Sequence, residues 1–200
     1  MLQHRAPIIL ASGSAIRQQM LKGVGLTFSV QPSGADEEAL KATIAHQTIP
    51  EQTVALAQAK ALSVSIERPE AYTIGADQMC EIDGTILSKP GTYDKAEANL
   101  ALLSGRTHLQ HSGIVLARGE EILWSYHASA SLTMRSLTAH EIRAYVAADA
   151  PLASCGAYKF EALGRHLFAH VEGDHDVIKG LPLLPLLVQL HLHGVIALVP

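Results

Sequence analysis

The chain has 200 residues, of which 48% are hydrophobic and 17% charged, and a formal net charge of −4. That length buries a substantial core, in one large domain or in a domain of two lobes, and that balance excludes a disordered chain. A negative net charge argues against a general nucleic-acid binder, which would carry a basic stripe, but not against a small anionic substrate in a locally positive cleft.

In chain order, a strand at Pro7–Ala11 feeds through Ser12-Gly13-Ser14 into an amphipathic helix at about Ala15–Lys22, with Ser14 as its cap and Ile16, Met20 and Leu21 on its buried face. Phe28–Val30 reads as a short strand, and Asp36–His46 and Pro50–Ser63 as helices. Tyr72–Ile74 and Met79–Ile82 read as separate strands, the second turning at Asp83-Gly84 into Thr85–Leu87. Asp94–Leu103 is a helix closed by Ser104-Gly105, and Thr107–Ala117 and Ile122–Leu132 are two β-type runs joined at Arg118-Gly119. Thr138 and Glu141 form a capping box for a helix running to about Ala147. Leu167–Val171 is the last strand and Pro182–His193 the last helix. Interspersed strands and helices with at least one antiparallel hairpin give a mixed α/β fold without internal repeats, and no linker marks a domain boundary.

No apolar run approaches the ~20 residues that span a bilayer. The run from Leu181 to Leu190 holds two prolines and reads as a buried helix start. The N-terminus lacks a signal pattern, and Cys80 and Cys155 form no CxxC pair, which together point to a reduced cytoplasmic setting without a disulfide. The eleven histidines show no zinc spacing: His191 and His193 point to different sides of a helix, and no cysteine pair accompanies His166, His170 and His175.

Chemistry-bearing residues cluster in two places. The first is the strand–Ser12-Gly13-Ser14–helix step, where backbone N–H groups and the helix dipole favour an anion and Arg17 adds a positive charge one turn in. Its glycine pattern fits neither a P-loop nor a dinucleotide fingerprint. The second is "IGADQMCEIDGTILSKPGTYDKAEANLALLSGRTH", Ile74 to His108, where Asp77 directly follows an apolar strand and Lys89 is stiffened by Pro90. Asp36-Glu37-Glu38 form an acidic knot, and Lys60 shares a helix face with Leu56. Carboxylates for a divalent metal plus cations for phosphates make the set that phosphoryl chemistry requires. Taken singly, the acidic knot also suits a helix N-terminus, Lys60 a solvated stem and Asp83 a plain turn.

The order of these pieces resembles the Maf family. "LASGSAIRQQMLKGVGLTF" looks like that family's opening, "ADEE" its Asp-Glu step, and "VALAQAKA" its Lys-bearing helix. "IGADQM", "LSKP", "LSGRTH", "EIRAYV", "CGAYKFEALG" and "KGLPL" follow in family order almost to the C-terminus. The resemblance implies an inosine-triphosphatase-like mixed sheet flanked by helices, with two lobes around a nucleotide cleft, in one domain spanning residues 1–200. It further implies a cytoplasmic nucleoside-triphosphate pyrophosphatase that uses Mg²⁺ or Mn²⁺, acts on a small-molecule nucleotide with no nucleic-acid or membrane partner, and forms a homodimer. Asp77 would be the catalytic base, Glu37 would join Asp77 in holding the metal, and Ser12, Ser14, Arg17, Lys60 and Lys89 would hold the triphosphate.

Departures from the family pattern bear on the base. Ala15-Ile16 replaces Pro-Arg, Gln78 follows Asp77 where pyrimidine-preferring members have Thr, and Glu161 stands where they have Gln. A carboxylate only accepts hydrogen bonds, which suits the N1–H and N2–H edge of guanine and the positive charge of a 7-methylated ring. Ile16, Gln78 and Glu161 therefore point to 7-methyl-GTP or a related modified purine nucleotide, although Ile16 offers no aromatic stacking platform and Ser154 replaces a family lysine. The alternatives are a dTTP/UTP pyrophosphatase and a non-catalytic nucleotide-binding regulator of cell division. A regulator has no need of a water-activating Asp77.

Overall fold

The structure, a computed structural model, describes residues 1–200. It contains nine strands and seven α-helices: β1 (Leu2–His4), β2 (Ile8–Leu10), α1 (Ala15–Gly23), β3 (Ser29–Val30), α2 (Glu37–Ile44), α3 (Ile49–Ser65), β4 (Tyr72–Ile82), β5 (Thr85–Leu87), α4 (Tyr93–Leu103), β6 (Thr107–Arg118), β7 (Glu121–Met134), α5 (Ala139–Asp149), β8 (Phe168–Glu172), α6 (His175–Ile178), α7 (Leu183–Leu192) and β9 (Ile196–Leu198). Two short 3-10 turns, Cys155–Ala157 and Leu163–Leu167, precede β8. The mixed sheet runs in the order β3-β2-β4-β6-β7-β8, with β5 also paired to β4, and β1 and β9 make a separate antiparallel pair. This is the expected mixed α/β class.

The chain forms two compact units. One comprises Met1–Asp77, Ser112–Ala128 and Gly180–Pro200, the other Gln78–His111 and Ser129–Lys179. In the first, β2 is parallel to both β3 and β4, pairing Leu10 with Val30 on one side and with Ile74 on the other. Alternation along the strands gives each sheet face its own partner. Ile8, Leu10, Ile74, Ile114 and Leu116 pack with Met20 and Leu21 of α1 and Leu186 and Leu190 of α7. On the opposite face, Val115 and Ala117 meet Ala57 and Ala61 of α3, and Ile9 and Ala11 meet Val64. Each fully buried aliphatic side chain contributes roughly 1.5–3 kcal/mol, so both faces resist separation.

Helix α3 lies unusually close to the sheet. A Cβ on Gly75 of β4 would fall 2.2 Å from the Ala57 carbonyl oxygen and 2.8 Å from Ala61 Cβ, and one on Gly113 of β6 would fall 2.6 Å from the Thr53 carbonyl oxygen. Only glycine permits this contact. Thr48 fixes the start of α3 through a reciprocal capping box with Glu51.

In the second unit, β5 pairs antiparallel with β4 and β8 with β7. The hairpin turns at Asp83 and Gly84, both at positive φ, as the sequence predicts. Thr138 and Glu141 cap α5 reciprocally, also as predicted. Tyr158, Phe160 and Phe168 cluster there, Tyr158 and Phe168 edge to face with ring centroids 4.9 Å apart and Phe160 tilted against Phe168. No disulfide joins Cys80 and Cys155. No helix is long and apolar enough to cross a membrane.

Four expectations change, the first being that β9 follows α7, so the strand expected at Leu167–Val171 is not the last. The two strands expected at Tyr72–Ile74 and Met79–Ile82 are one continuous strand, β4, so Asp77 lies inside a strand and not after it. Ser14 sits at the N-cap of α1, but its side chain accepts no helix amide, and its own N–H points to Ser12 Oγ at 3.3 Å. Asp36 lies outside α2 as its cap, accepting from the Ala39 amide at 3.0 Å.

Candidate active site

The site grows from the carboxyl end of β2. Beyond Leu10 the chain leaves the strand at Ala11, whose amide still donates to the Ile74 carbonyl at 2.8 Å, and enters the Ser12–Ser14 loop. β4 continues past that point, so Gly75, Ala76 and Asp77 run alongside a loop where β2 has ended. Asp77 thus keeps the position at the end of a parallel pairing that the sequence suggested, although its own strand goes on.

Arg17 ties these pieces together. Its side chain is buried, with Nε donating to the Gly180 carbonyl at 2.8 Å and Nη1 donating to the Ala76 carbonyl at 2.8 Å and to Ser12 Oγ at 3.1 Å. One guanidinium therefore spans the loop, the residue before Asp77 and the chain entering α7. Its fork geometry suits this role. The Ser14 hydroxyl makes no hydrogen bond, and the space over Gly13 is open. The loop at the start of α1 is thus uncapped by side chains and has a buried cation beside it, an arrangement suited to phosphate oxygens.

Lys60 completes the cluster from α3. It is buried, with Nζ 2.6 Å from Asp77 Oδ1 and 3.1 Å from Glu37 Oε1. Asp77 is itself buried, whereas the Glu37 side chain is 41% exposed, so the triad opens to solvent on the α2 side. The solvated-stem alternative for Lys60 does not hold. Its buried ammonium bridges two carboxylates, and the Gly75 contact holds α3 close enough to β4 for it to do so.

Ser12 and Arg17 therefore form a hydrogen-bonded set and Lys60, Glu37 and Asp77 an ion-paired one, adjacent along β4 where the Arg17-bound Ala76 carbonyl precedes Asp77, with Ser14 at the loop. Ile16, offered as a base-reading position, is half-buried against the apolar core of α1 and α7. The other three expected residues belong to the second unit. Lys89 is exposed between β5 and α4, and Glu161 is exposed after Phe160; neither makes an ion pair. The Gln78 amide donates to the Ile178 carbonyl at 2.6 Å and more weakly to that of Val177 at 3.4 Å. Sequence reasoning missed Gly75 as the reason Lys60 reaches Asp77, and the Ala76 and Gly180 carbonyls as the anchors of Arg17. The signal for Gly75 was its place two residues before the aspartate.

The Asp77 and Glu37 carboxylates suit part of a divalent-cation donor set. No group of three or more His, Cys, Asp or Glu side chains forms a closed cage. Mg²⁺ is commonly bound by one or two carboxylates together with substrate phosphates and water, and two carboxylates meeting on one ammonium provide that partial donor set.

Residues 7–192 match the family described as Maf-like protein. A nucleoside triphosphate pyrophosphatase of Legionella pneumophila (strain Paris) is 43% identical over 192 residues, covering 94% of this chain and 96% of its own. The corresponding protein of Nitrobacter winogradskyi is 44% identical over 194 residues, covering 96% of each chain. Among solved structures, a HAM1 protein from Coxiella burnetii aligns over 64% of this chain and 73% of its own, at 15% identity and a TM-score of 0.40.

Proposed function

This chain belongs to the Maf-like protein family, and we propose that it hydrolyses a nucleoside triphosphate to the monophosphate and pyrophosphate with Asp77 as the base. The observation that carries this reading is the buried Asp77 carboxylate, held 2.6 Å from Lys60 Nζ beside a loop anchored by Arg17. Asp77 takes a proton from the water that attacks the α-phosphorus, the bond from that phosphorus to the bridging oxygen breaks, and pyrophosphate leaves. Ser12, Ser14 and Arg17 hold the phosphates in line, and Lys60 offers an ammonium to the same charge. Glu37 and Asp77 would hold Mg²⁺ or Mn²⁺, which when bound neutralises phosphate charge.

The substrate we propose is 7-methyl-GTP or a related modified purine nucleotide. Glu161 supports it: its carboxylate is exposed and unpaired, an acceptor suited to the guanine edge and to a cationic ring. The Gln78 amide is committed to backbone carbonyls, so Gln78 shapes the neighbourhood and does not donate to a base.

Pyrophosphate release assayed over a panel of nucleotides with Mg²⁺ or Mn²⁺ tests both levels. Asp77→Asn is expected to lower turnover by roughly 10²–10⁴-fold while still binding a non-hydrolysable analogue. Full activity of that variant would overturn Asp77 as the base. Fast hydrolysis of UTP with none of 7-methyl-GTP would overturn the substrate assignment, and Glu161→Gln is expected to move preference towards pyrimidines.

A further inference from the structure

The Lys60 ammonium has a second consequence for the site. It lies on the same carboxylates, Asp77 and Glu37, that suit a divalent cation, at 2.6 and 3.1 Å. Its side chain is only 11% exposed, and the helix that carries it packs directly on β4, with the Ala57 and Ala61 backbone against Gly75. Neither carboxylate makes another ion pair. Without Lys60, the buried Asp77 carboxylate would have no cation beside it and the part-exposed Glu37 carboxylate would lose its partner, a costly arrangement for Asp77 unless another cation replaces the ammonium. With Lys60, a free metal ion approaching the same oxygens meets a positive charge within a few ångströms.

We propose that Lys60 is the resident countercation of Asp77 and Glu37, which keeps the pair assembled before nucleotide arrives and opposes entry of a divalent cation on its own. The ammonium has three donors, so it can turn part of its bonding to a triphosphate oxygen while staying near Asp77. Nucleotide thereby removes the opposition, and metal and nucleotide bind together, each weakly alone. This inference rests on the metal reading given above and adds to it an order of events set by one lysine.

Mn²⁺ binding to nucleotide-free protein, followed by loss of the aqueous Mn²⁺ electron paramagnetic resonance signal, tests it. Lys60→Met, which removes the charge and keeps the stem, is expected to bind Mn²⁺ at least about tenfold more tightly than wild type. Lys60→Arg, which keeps the charge, is expected to remain as weak as wild type. Wild type is expected to bind Mn²⁺ tightly once a non-hydrolysable triphosphate analogue is present, read in that arm as Mn²⁺ retained with the protein on ultrafiltration, since the analogue alone also quenches the aqueous signal. If Lys60→Met unfolds without metal, Lys60→Gln is used, and a Tm raised by Mn²⁺ more than that of wild type reads the same effect. Equal or weaker Mn²⁺ binding by the neutral variants, with wild type still binding in the presence of the analogue, overturns the countercation and leaves the pyrophosphatase reading intact. Absence of Mn²⁺ binding under every condition overturns the metal reading and the countercation with it.

Discussion

In the first unit one set of buried polar groups is ionic: Lys60 bridges Asp77 and Glu37, and Arg17 is held by the Ala76 and Gly180 carbonyls. In the second unit a comparable set is neutral. Gln110 Nε2 donates to the Tyr158 hydroxyl at 2.8 Å and to the Cys155 carbonyl at 3.2 Å, and the hydroxyl lies 2.8 Å from His108 Nε2. The Tyr158 hydroxyl thus joins Gln110 and His108 in one network, the direction of its bond to His108 following the imidazole tautomer. Burial pushes the pKa of His108 down to about 4, so the ring is uncharged at neutral pH. Burying ions costs more than burying neutral dipoles and is sustained here beside an open phosphate-type loop, whereas the neutral set lies among packed aromatic rings. The comparison assigns chemistry to the charged set and packing to the neutral one.

The largest way to break that contrast is to force α3 off the sheet. Gly75→Ala puts a methyl group 2.2 Å from the Ala57 carbonyl oxygen, a backbone atom that cannot rotate away. A loss of about 3 kcal/mol or more in urea unfolding is expected, the scale of severe overpacking. Residual folded protein should lose roughly 10²-fold in pyrophosphate release, because displaced helix carries Lys60 away from Asp77. Gly23→Ala, where no atom lies within 4 Å of the new methyl, should stay within about 0.5 kcal/mol of wild type. An unchanged stability for Gly75→Ala would show that the close approach does not hold the triad together.

The same glycine shows how much the sequence revealed. Local signals were legible where they are self-contained: the Asp83-Gly84 turn and the Thr138–Glu141 capping box are read from neighbours alone and appear as read. The capping box of α3 was missed because Pro50 drew the helix start inward, while Thr48 caps from two residues earlier. β1 and β9 have three residues each and α6 has four, too few to show a period. The sequence shows strand on either side of Gly75, at Tyr72–Ile74 and Met79–Ile82, and only the tertiary contact with Ala57 shows why a glycine is needed in the middle of β4. Asp77 and Lys60 are 17 residues apart and share no local pattern, so family resemblance brought them into one site before geometry did. The bonds of Arg17 to Ala76 and Gly180 were invisible for the same reason, since Gly180 is 163 residues away.

A smaller effect separates the two sets by pH. The folded pKa of His108 is lowered to about 4, whereas an unfolded histidine titrates near ~6.5. The unfolded chain therefore binds the proton first on acidification, and the stability tied to a neutral His108 is complete above about pH 6.5 and lost as pH falls towards 4. The shift corresponds to about 3 kcal/mol by pH 4. Urea denaturation at half-unit steps should show this decline, and His108→Gln should flatten it. An equal slope in that variant would assign the acid sensitivity to other groups.

The finest test removes one oxygen from the neutral set. Tyr158→Phe keeps the ring that packs edge to face on Phe168 and deletes the hydroxyl shared by His108 and Gln110. Gln110 retains the Cys155 carbonyl, but His108 loses its hydrogen-bond partner, since its Nδ1 is already without one. A cost of about 1–2 kcal/mol is expected, the range for a buried polar group left unpaired. Acting through packing alone, the change should leave kcat/KM for the preferred nucleotide within about twofold of wild type. A tenfold loss of turnover at unchanged stability would mean that the neutral network also positions catalytic groups, and the division of labour between the two sets would then fail at the point where it is most exposed to test.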